Sequence, residues 1–275
     1  MIANCSSNAA LSLMGCIRCS VKTHRKRKQG ETPGARNRVA GAAGTYVARR
    51  TAFHYVMGIR PSSTFVLRKL HQVSGIVPLG LFLLEHFYTN SRALAGPVDF
   101  NKAVVELQGI PYLLMLEIFG IWIPLIYHGV YGLVITSEAS PNNLLYPYAR
   151  NWFYTIQRIT GVILFFFITF HMLNFRFGLV PGLNNQAVAF YPDQAFSIVA
   201  REFRLVPIFI IYVVGITATV WHFANGLWFF LVDWGIVIGE RAQRLTGYAC
   251  IAFSVVLLFV ALNSAVAFIR PGGLL

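Results

Sequence analysis

Five long apolar stretches dominate this 275-residue sequence and decide what it can fold into. They run over about residues 70–88, 112–136, 152–175, 205–231 and 246–268. Each is long enough to cross about 30 Å of bilayer hydrocarbon as a helix. Because a chain in lipid must satisfy its backbone hydrogen bonds internally, this pattern predicts an all-α membrane protein with a bundle of five transmembrane helices. In the first loop, VDFNKAVVELQG predicts a short extra helix.

The net charge of +13 is concentrated at the N-terminal end. Residues 1–60 hold eleven Lys/Arg and a single acid, Glu31, whereas residues 61–275 hold twelve Lys/Arg and nine acids. The basic balance therefore belongs to a tail, and no nucleic-acid partner is predicted. Such a polar segment cannot bury enough apolar surface to fold alone, so we interpret it as a disordered extension. An organellar presequence is one alternative, and a start codon placed too early, with Met57 as the alternative start, is another. We expect residues 61–275 to form the five-helix domain.

Basic residues that flank the apolar stretches predict the orientation in the membrane. The tail and Arg68–Lys69 precede the first stretch, and cytoplasmic loops are enriched in Lys and Arg. The N-terminus is therefore predicted to face the cytoplasm, in the inner (cytoplasmic) membrane. The loops that carry Arg150, Arg241 and Arg244 then face the same side. Because the outer loops also carry basic residues, this prediction depends mainly on the tail.

Four of the seven histidines lie inside predicted helices, one on each of the first four: His86, His128, His171 and His222. A charged side chain at the bilayer centre costs roughly 2.5–3.5 kcal/mol, and such residues are functional by default. At a rise of about 1.5 Å per residue, His86 and His171 lie about 24 and 28 Å from the cytoplasmic ends of their helices. His128 and His222 lie about 12 and 14 Å from those ends. The four therefore sort into an outer pair and a cytoplasmic pair.

Two pairs of histidines at two depths are what two stacked haems would need, because haem iron takes two axial ligands. The fold would then enclose two haems b. One alternative is that each histidine hydrogen-bonds a neighbouring helix. A dinuclear metal site is another, but it would need carboxylates from facing helices. Only Glu85 and Glu117 are candidates for those, and they stand on different helices at different apparent depths. The matched depths favour the haems.

The residues around these histidines resemble a known family. The resemblance covers about residues 65–265 and is carried by RKLHQVSGIVPLGLFLLEH, LEIFGIWIPLIYHGVYG, NWFYTIQRITGVILFFFITFH and VWHFANGLWFFLVDWG. These segments are similar to the single-subunit, five-helix, diheme cytochrome b anchor of succinate dehydrogenases, most like the Bacillus-type enzymes, with relatives in diheme fumarate reductases. The resemblance implies that His86 and His171 hold a distal haem and that His128 and His222 hold a proximal one.

The resemblance also implies partners and a direction of electron flow. An iron–sulfur subunit would bind the anchor and would sit beneath an FAD flavoprotein that oxidises succinate. Electrons would pass from succinate through FAD and the iron–sulfur clusters to the haems, and then to a quinone, with menaquinone favoured by the family pattern. This chain would be a subunit of succinate:quinone oxidoreductase without touching succinate itself.

Four further residues are candidates for contact with the haems or the quinone. His71 and Arg158 lie near the cytoplasmic side, where either could bind a haem propionate, and His71 could instead meet a quinone. The alternative for His71 and Arg158 is that each extends to water or lipid headgroups at the interface, as many interfacial polar side chains do. Glu85 and Glu117 are the acids inside the predicted helices, and desolvation suits such groups to carry protons to a quinone. Structural pairing is the alternative for these two.

Three other functions compete with the diheme relay. A fumarate reductase anchor would use the same cofactors in the reverse direction. The direction depends on the quinone potential, which the sequence does not reveal. A haem-free tether would only hold soluble subunits at the membrane. A transporter would need paired interrupted helices in inverted repeats, and the sequence lacks that pattern.

Overall fold

The computed structural model describes residues 61–180, 183 and 187–274. Within these residues the chain forms helices, turns and loops and has no strand. The predicted disordered extension, residues 1–60, lies outside the described residues. The all-α prediction is confirmed for the part of the chain that is described.

The first predicted helix is divided in two at a proline. Helix α1 is Pro61–Ile76 and helix α2 is Pro78–Ser91. Pro78 has no N–H and therefore removes one bond from the helical ladder. Val77 between them keeps a right-handed helical conformation, and its carbonyl accepts a hydrogen bond from Leu81 N at 3.2 Å. The break is thus local, and together α1 and α2 reach beyond both ends of the predicted stretch 70–88.

Four of the five predicted stretches are continuous helices that are long and apolar enough to cross a membrane. They are Leu113–Ser137, Ala149–Arg176, Val206–Asp233 and Glu240–Ala267. Many of their large apolar side chains are exposed, such as Phe166 at 66% and Val256 at 63%. A helix that is apolar on all sides fits a lipid environment, because its outer face then meets hydrocarbon instead of water.

Two of these long helices each contain a π-helical segment. The first consists of α4 (Leu113–Leu116), a π-helix (Glu117–Trp122) and α5 (Ile123–Ser137). The second is α6 (Ala149–His171), which continues as a π-helix (Met172–Arg176). π-Helical turns are rare and occur frequently at functional sites.

Two short helices cover the end of the bundle where α2 and α6 finish. Helix α3 (Pro97–Gln108) is the helix predicted from the first loop, whereas α7 (Ala195–Phe203) was not predicted. Their apolar sides pack together with the end of α9, and Phe100 meets Phe268 edge to face with ring centroids 4.9 Å apart. Helix α7 lies within a polar loop and is too short for its amphipathic pattern to be recognised in the sequence.

The remaining long helices are α8 (Val206–Asp233) and α9 (Glu240–Ala267). Helix α1 packs against α5, α6 packs against α8, and α9 packs against α8 and α2. The first four predicted stretches therefore surround a common interior, to which α1, α2, α5, α6 and α8 each contribute side chains.

Candidate functional site

A cavity of about 1850 Å³ lies between these helices, and we call it the bundle cavity. It is lined by His71, His86, Glu117, His128, Arg158, His171 and His222, among others. Pockets for one small ligand are about 300–1,000 Å³, so the bundle cavity has room for more than one. Of the eight residues predicted for the site, only Glu85 does not line it.

The outer histidines face each other across the bundle cavity. The ring centroids of His86 on α2 and His171 on α6 are 5.7 Å apart, with an angle of 82° between the ring planes. His171 Nδ1 lies 3.2 Å from the hydroxyl oxygen of Tyr212 on α8. The depth estimate from sequence placed these two histidines at the same level, and the tertiary fold brings them together.

The cytoplasmic pair, His128 on α5 and His222 on α8, is arranged in the same way. Their ring centroids are 6.2 Å apart, at an angle of 85°. His128 Nδ1 donates to the backbone carbonyl of His71 at 2.9 Å, and His222 Nδ1 donates to that of Gln157 at 3.1 Å. Because a carbonyl oxygen can only accept, Nδ1 carries the proton in each neutral ring. The lone pair of Nε2 is then the one left for a ligand.

Glycines make room for both cytoplasmic rings. A β-carbon added to Gly75 would lie 2.8 Å from His128 Nδ1. One added to Gly161 would lie 3.1 Å from His222 Cε1. A side chain at either position would push the ring away from the carbonyl that holds it. These glycines therefore belong to the site, although the sequence alone did not separate them from glycines used in ordinary helix packing.

His71 lies against His128. The two rings are stacked with centroids 4.0 Å apart and planes within 10°. Its Nδ1 is buried and has no hydrogen-bond partner among the described residues. A parallel stack at this distance leaves no space for a metal between the rings. The contact of His71 with a haem propionate or a quinone stays a prediction, and its stacking on His128 does not suit the two rings to binding one metal between them.

Arg158 lies half-buried on α6, and its guanidinium group stands 3.8 Å from the ring centroid of Tyr154. Its Nε is buried and makes no hydrogen bond within the described part of the chain. A buried guanidinium donor without an acceptor suits an anion bound in the cavity, because charge-assisted hydrogen bonds to carboxylates are among the strongest.

The two predicted acids have different surroundings. Glu117, at the start of the first π-helix, accepts a hydrogen bond from Arg176 Nη2 at 2.6 Å, and both residues line the cavity. The Glu85 carboxylate accepts a hydrogen bond from Thr89 Oγ1 at 2.5 Å, one turn further along α2. The structure thus brings Glu117 to the site and leaves Glu85 in a local contact.

Arg176 and Tyr212 contact the predicted site residues but were not themselves predicted. Arg176 falls just beyond the predicted end of the third stretch at residue 175, so the sequence placed it in an outer loop. Tyr212 sits among apolar residues of α8, and nothing in its local sequence separates it from a core aromatic. Only the packing of α6 against α8 shows that it meets His171.

The four histidines form two pairs across the bundle cavity. Among the residues that the structure describes, no group of three or more His, Cys, Asp or Glu side chains could hold a metal ion. A bare ion such as zinc usually requires at least three protein ligands. Two opposed imidazoles would instead suit the iron of a haem, which would take one ligand from each ring.

Comparison with known proteins identifies the family. Residues 136–261 match the family model described as succinate dehydrogenase/fumarate reductase transmembrane subunit. The chain is also 36% identical over 205 residues to the succinate dehydrogenase cytochrome b558 subunit of Bacillus subtilis. That match covers 74% of this chain and 97% of the relative. It bears out the resemblance drawn from the histidine-bearing segments, and the chain belongs to the succinate dehydrogenase/fumarate reductase transmembrane subunit family.

Proposed function

We propose that this chain is the diheme cytochrome b anchor of a succinate dehydrogenase, which relays electrons from an iron–sulfur subunit to a membrane quinone. The observation that carries the proposal is the pairing of four histidines across one cavity, His86 with His171 and His128 with His222. A relative that is named a cytochrome b subunit supports haem b as the cofactor.

The spacing of the rings fits axial ligation. A bond between a metal and an imidazole nitrogen is about 2 Å, as for zinc, and the ring centroid lies about 1 Å beyond the nitrogen. Rings on opposite sides of one metal atom therefore have centroids about 6 Å apart. The outer and cytoplasmic pairs have centroid distances of 5.7 and 6.2 Å. Both pairs are compatible with one haem each.

Other groups in the cavity fit the same cofactor. The fixed tautomers of His128 and His222 direct the Nε2 lone pair of each ring away from the carbonyl that holds Nδ1, as axial ligands require. The unpartnered Nε of Arg158 would donate to a haem propionate. His71, stacked on His128, would contact the same haem or a quinone next to it.

When bound, each haem would supply a one-electron carrier whose potential depends on its ligands and its burial. The protein's own residues hold the imidazoles in place and exclude water with apolar helices. Two haems at two depths would carry electrons across much of the membrane. We include α1 and α2 as a fifth crossing, because the helical chain of residues 61–91 is about 46 Å long at about 1.5 Å per residue.

We place the quinone near the outer pair, at Glu117 and Arg176. The Glu117 side chain is 11% exposed and its carboxylate is bound by the Arg176 guanidinium, so the acid is held inside the cavity instead of in water. An acid at that position could hand a proton to a reduced quinone, and the neighbouring Arg176 could bind a quinone carbonyl. Menaquinone remains the proposed substrate, and Glu85 is the second proton candidate.

The cytoplasmic ends of α1 and α8 support the proposed orientation and docking side. Lys69 Nζ donates to the Asp233 carboxylate at 2.6 Å, and Gln72 donates to the same carboxylate at 2.8 Å. The indole N–H of Trp234 donates to Gln72 at 2.9 Å. These contacts fix a polar surface at the end of the bundle nearest the cytoplasmic histidine pair. We propose that the iron–sulfur subunit, carrying the FAD flavoprotein, docks there and that the N-terminus faces the cytoplasm of the inner membrane.

The test is the spectrum of the chain purified with its partner subunits. We expect two haems b per chain, at least one of them reduced when succinate is added. Absence of haem, with the partner subunits still attached, would instead identify a structural tether. Haem that is reduced by quinol but not by succinate would identify the fumarate-reducing direction.

A further inference from the structure

Two helices of the bundle present the same arrangement of side chains to the cytoplasmic histidine pair. One lies on α1, in the segment HQVSG, and the other on α6, in the segment QRITG. Both consist of a residue with a long polar side chain, a hydroxyl residue three positions later and a glycine after that. Positions i, i+3 and i+4 of a helix share one face, so all three can meet one neighbouring helix.

In the first copy, His71, Ser74 and Gly75 surround His128. The His71 carbonyl accepts a hydrogen bond from His128 Nδ1 at 2.9 Å, and the Ser74 hydroxyl oxygen lies 3.4 Å from the same nitrogen. Gly75 leaves the space that the ring occupies. The His71 ring in turn faces Gly132, one turn after His128, where an added β-carbon would lie 3.2 Å from His71 Cε1.

The second copy repeats each of these contacts with Gln157, Thr160 and Gly161 around His222. The Gln157 carbonyl accepts from His222 Nδ1 at 3.1 Å, and Thr160 Oγ1 lies 3.2 Å from that nitrogen. Gly161 leaves space for the ring. The Gln157 side chain faces Gly226, one turn after His222, where an added β-carbon would lie 3.2 Å from Gln157 Nε2.

The two copies therefore correspond residue by residue on both helices of each pair. The equivalent positions are His71 and Gln157, Ser74 and Thr160, Gly75 and Gly161, His128 and His222, and Gly132 and Gly226. Because α1 and α6 cross the bundle in the same direction, the repeat preserves chain direction, unlike the inverted repeats of transporters.

We propose that residues 71–75 and 157–161 are two copies of one histidine-holding motif, and that Ser74 and Thr160 are positioning residues for the two ligands of the proximal haem. This inference rests on the proposed function. Each hydroxyl already donates to the backbone, Ser74 to the His71 carbonyl at 2.9 Å and Thr160 to the carbonyls of Ile156 at 2.8 Å and Gln157 at 3.1 Å. Each hydroxyl oxygen can therefore accept a hydrogen bond, and the Nδ1–H of each histidine is shared between a carbonyl and a hydroxyl.

This sharing has an electronic consequence. Outer hydrogen bonds from the second nitrogen of a ligating histidine fix its orientation and raise its basicity. A more basic imidazole donates more electron density and favours the oxidised iron. Removing the hydroxyl from either copy should therefore raise the midpoint potential of the proximal haem and leave that of the distal haem unchanged.

The experiment compares Thr160→Val and Ser74→Ala with wild type in a potentiometric titration of the purified complex. The proximal haem is identified as the component missing from a His128→Ala preparation. Thr160→Ser restores a hydroxyl and should keep the wild-type potential. Thr217→Val is the matched control, because Thr217 lies on α8, is exposed and bonds only to Val213 O among the described residues, at 2.8 Å. It should shift neither haem.

We expect an upward shift of the same haem in both motif variants. If Thr160→Val loses that haem while Thr160→Ser retains it, the hydroxyl requirement stands. The proposal is overturned by unchanged or lowered potentials, by shifts in different haems, or by loss of the haem from both Thr160 variants. A wild-type protein without two haems would defeat the proposed function itself, whereas two haems without these shifts would defeat only the motif.

Discussion

Glu117 and Arg176 form an ion pair of 2.6 Å that joins the two π-helical segments of the bundle. The Arg176 guanidinium carbon also lies 5.9 Å from the ring centroid of Trp122. Both charged groups line the bundle cavity on the side of the outer histidine pair. In the function proposed above, an acid held in this way would transfer protons to the quinone.

For the Glu117→Gln variant, we expect quinone reduction by succinate to slow by about tenfold or more, because a positioned acid or base typically contributes a factor of about 10²–10⁴. The amide still accepts from Arg176, so both haems should remain bound. The measurement is quinone-dependent turnover together with haem content. Glu106→Gln is the control, since Glu106 is 67% exposed and its carboxylate pairs only weakly with Lys102, at a distance of 4.0 Å. Equal turnover in the two variants would exclude Glu117 from the proton path.

Removing one histidine from each pair should remove different haems. His128→Ala should lose the proximal haem, and His86→Ala should lose the distal haem, so each variant retains about one haem per chain. Because we propose that the iron–sulfur subunit docks on the cytoplasmic side, succinate should still reduce the haem left in His86→Ala. The haem left in His128→Ala should be reduced by dithionite and poorly by succinate. Loss of both haems, or of neither, from both variants would contradict the pairing.

The Gly75→Ala variant should weaken the proximal site, because the new methyl group would collide with the His128 ring. Overpacking a well-packed site costs about 1–3 kcal/mol. We expect the proximal haem to be lost or to show an altered spectrum, with the distal haem unchanged. An added β-carbon at Gly120 meets nothing within 4 Å, so Gly120→Ala should keep both haems. The measurement is a comparison of the two spectra at equal protein concentration. Identical spectra would contradict the proposal that Gly75 makes room for the His128 ring.

Arg158→Gln should lower the midpoint potential of the proximal haem. The reduced haem carries one more negative charge, and a nearby guanidinium stabilises it, so removing the positive charge favours the oxidised form. The same redox titration measures the effect. Arg244→Gln is the control, because Arg244 is 61% exposed and pairs with the exposed Glu240. A change of the same size in both variants would mean that Arg158 acts only through overall charge.

The sequence predicted the helical class because apolar stretches of membrane length admit few other folds. Four stretches are single helices of spanning length. The remaining one, which is the first along the chain, is locally broken because Pro78 has no N–H to donate. Helix α7 was missed, since nine residues within a loop carry too few turns for their periodicity to stand out. The depth of each histidine could be estimated because helix rise is nearly constant.

The sequence did not show which side chains meet across the bundle. Counting residues along α6 places His171 at a depth, but its contact with Tyr212 depends on how α6 is rotated against α8. The same rotation turns Arg176 toward Glu117. Glu85 shows the opposite case, because its place beside His86 in the sequence puts it on a different face of α2, where it binds Thr89.

The sequence by itself thus determined the all-α class, the approximate spans and the two depths of the histidines, because these follow from local apolar patterning and a fixed helical rise. Only the tertiary structure decided the ring spacings, the Nδ1 partners of His128 and His222, and the separation of Glu117 from Glu85. Those features depend on the rotation and close packing of helices that are distant in the chain, which no local periodicity encodes.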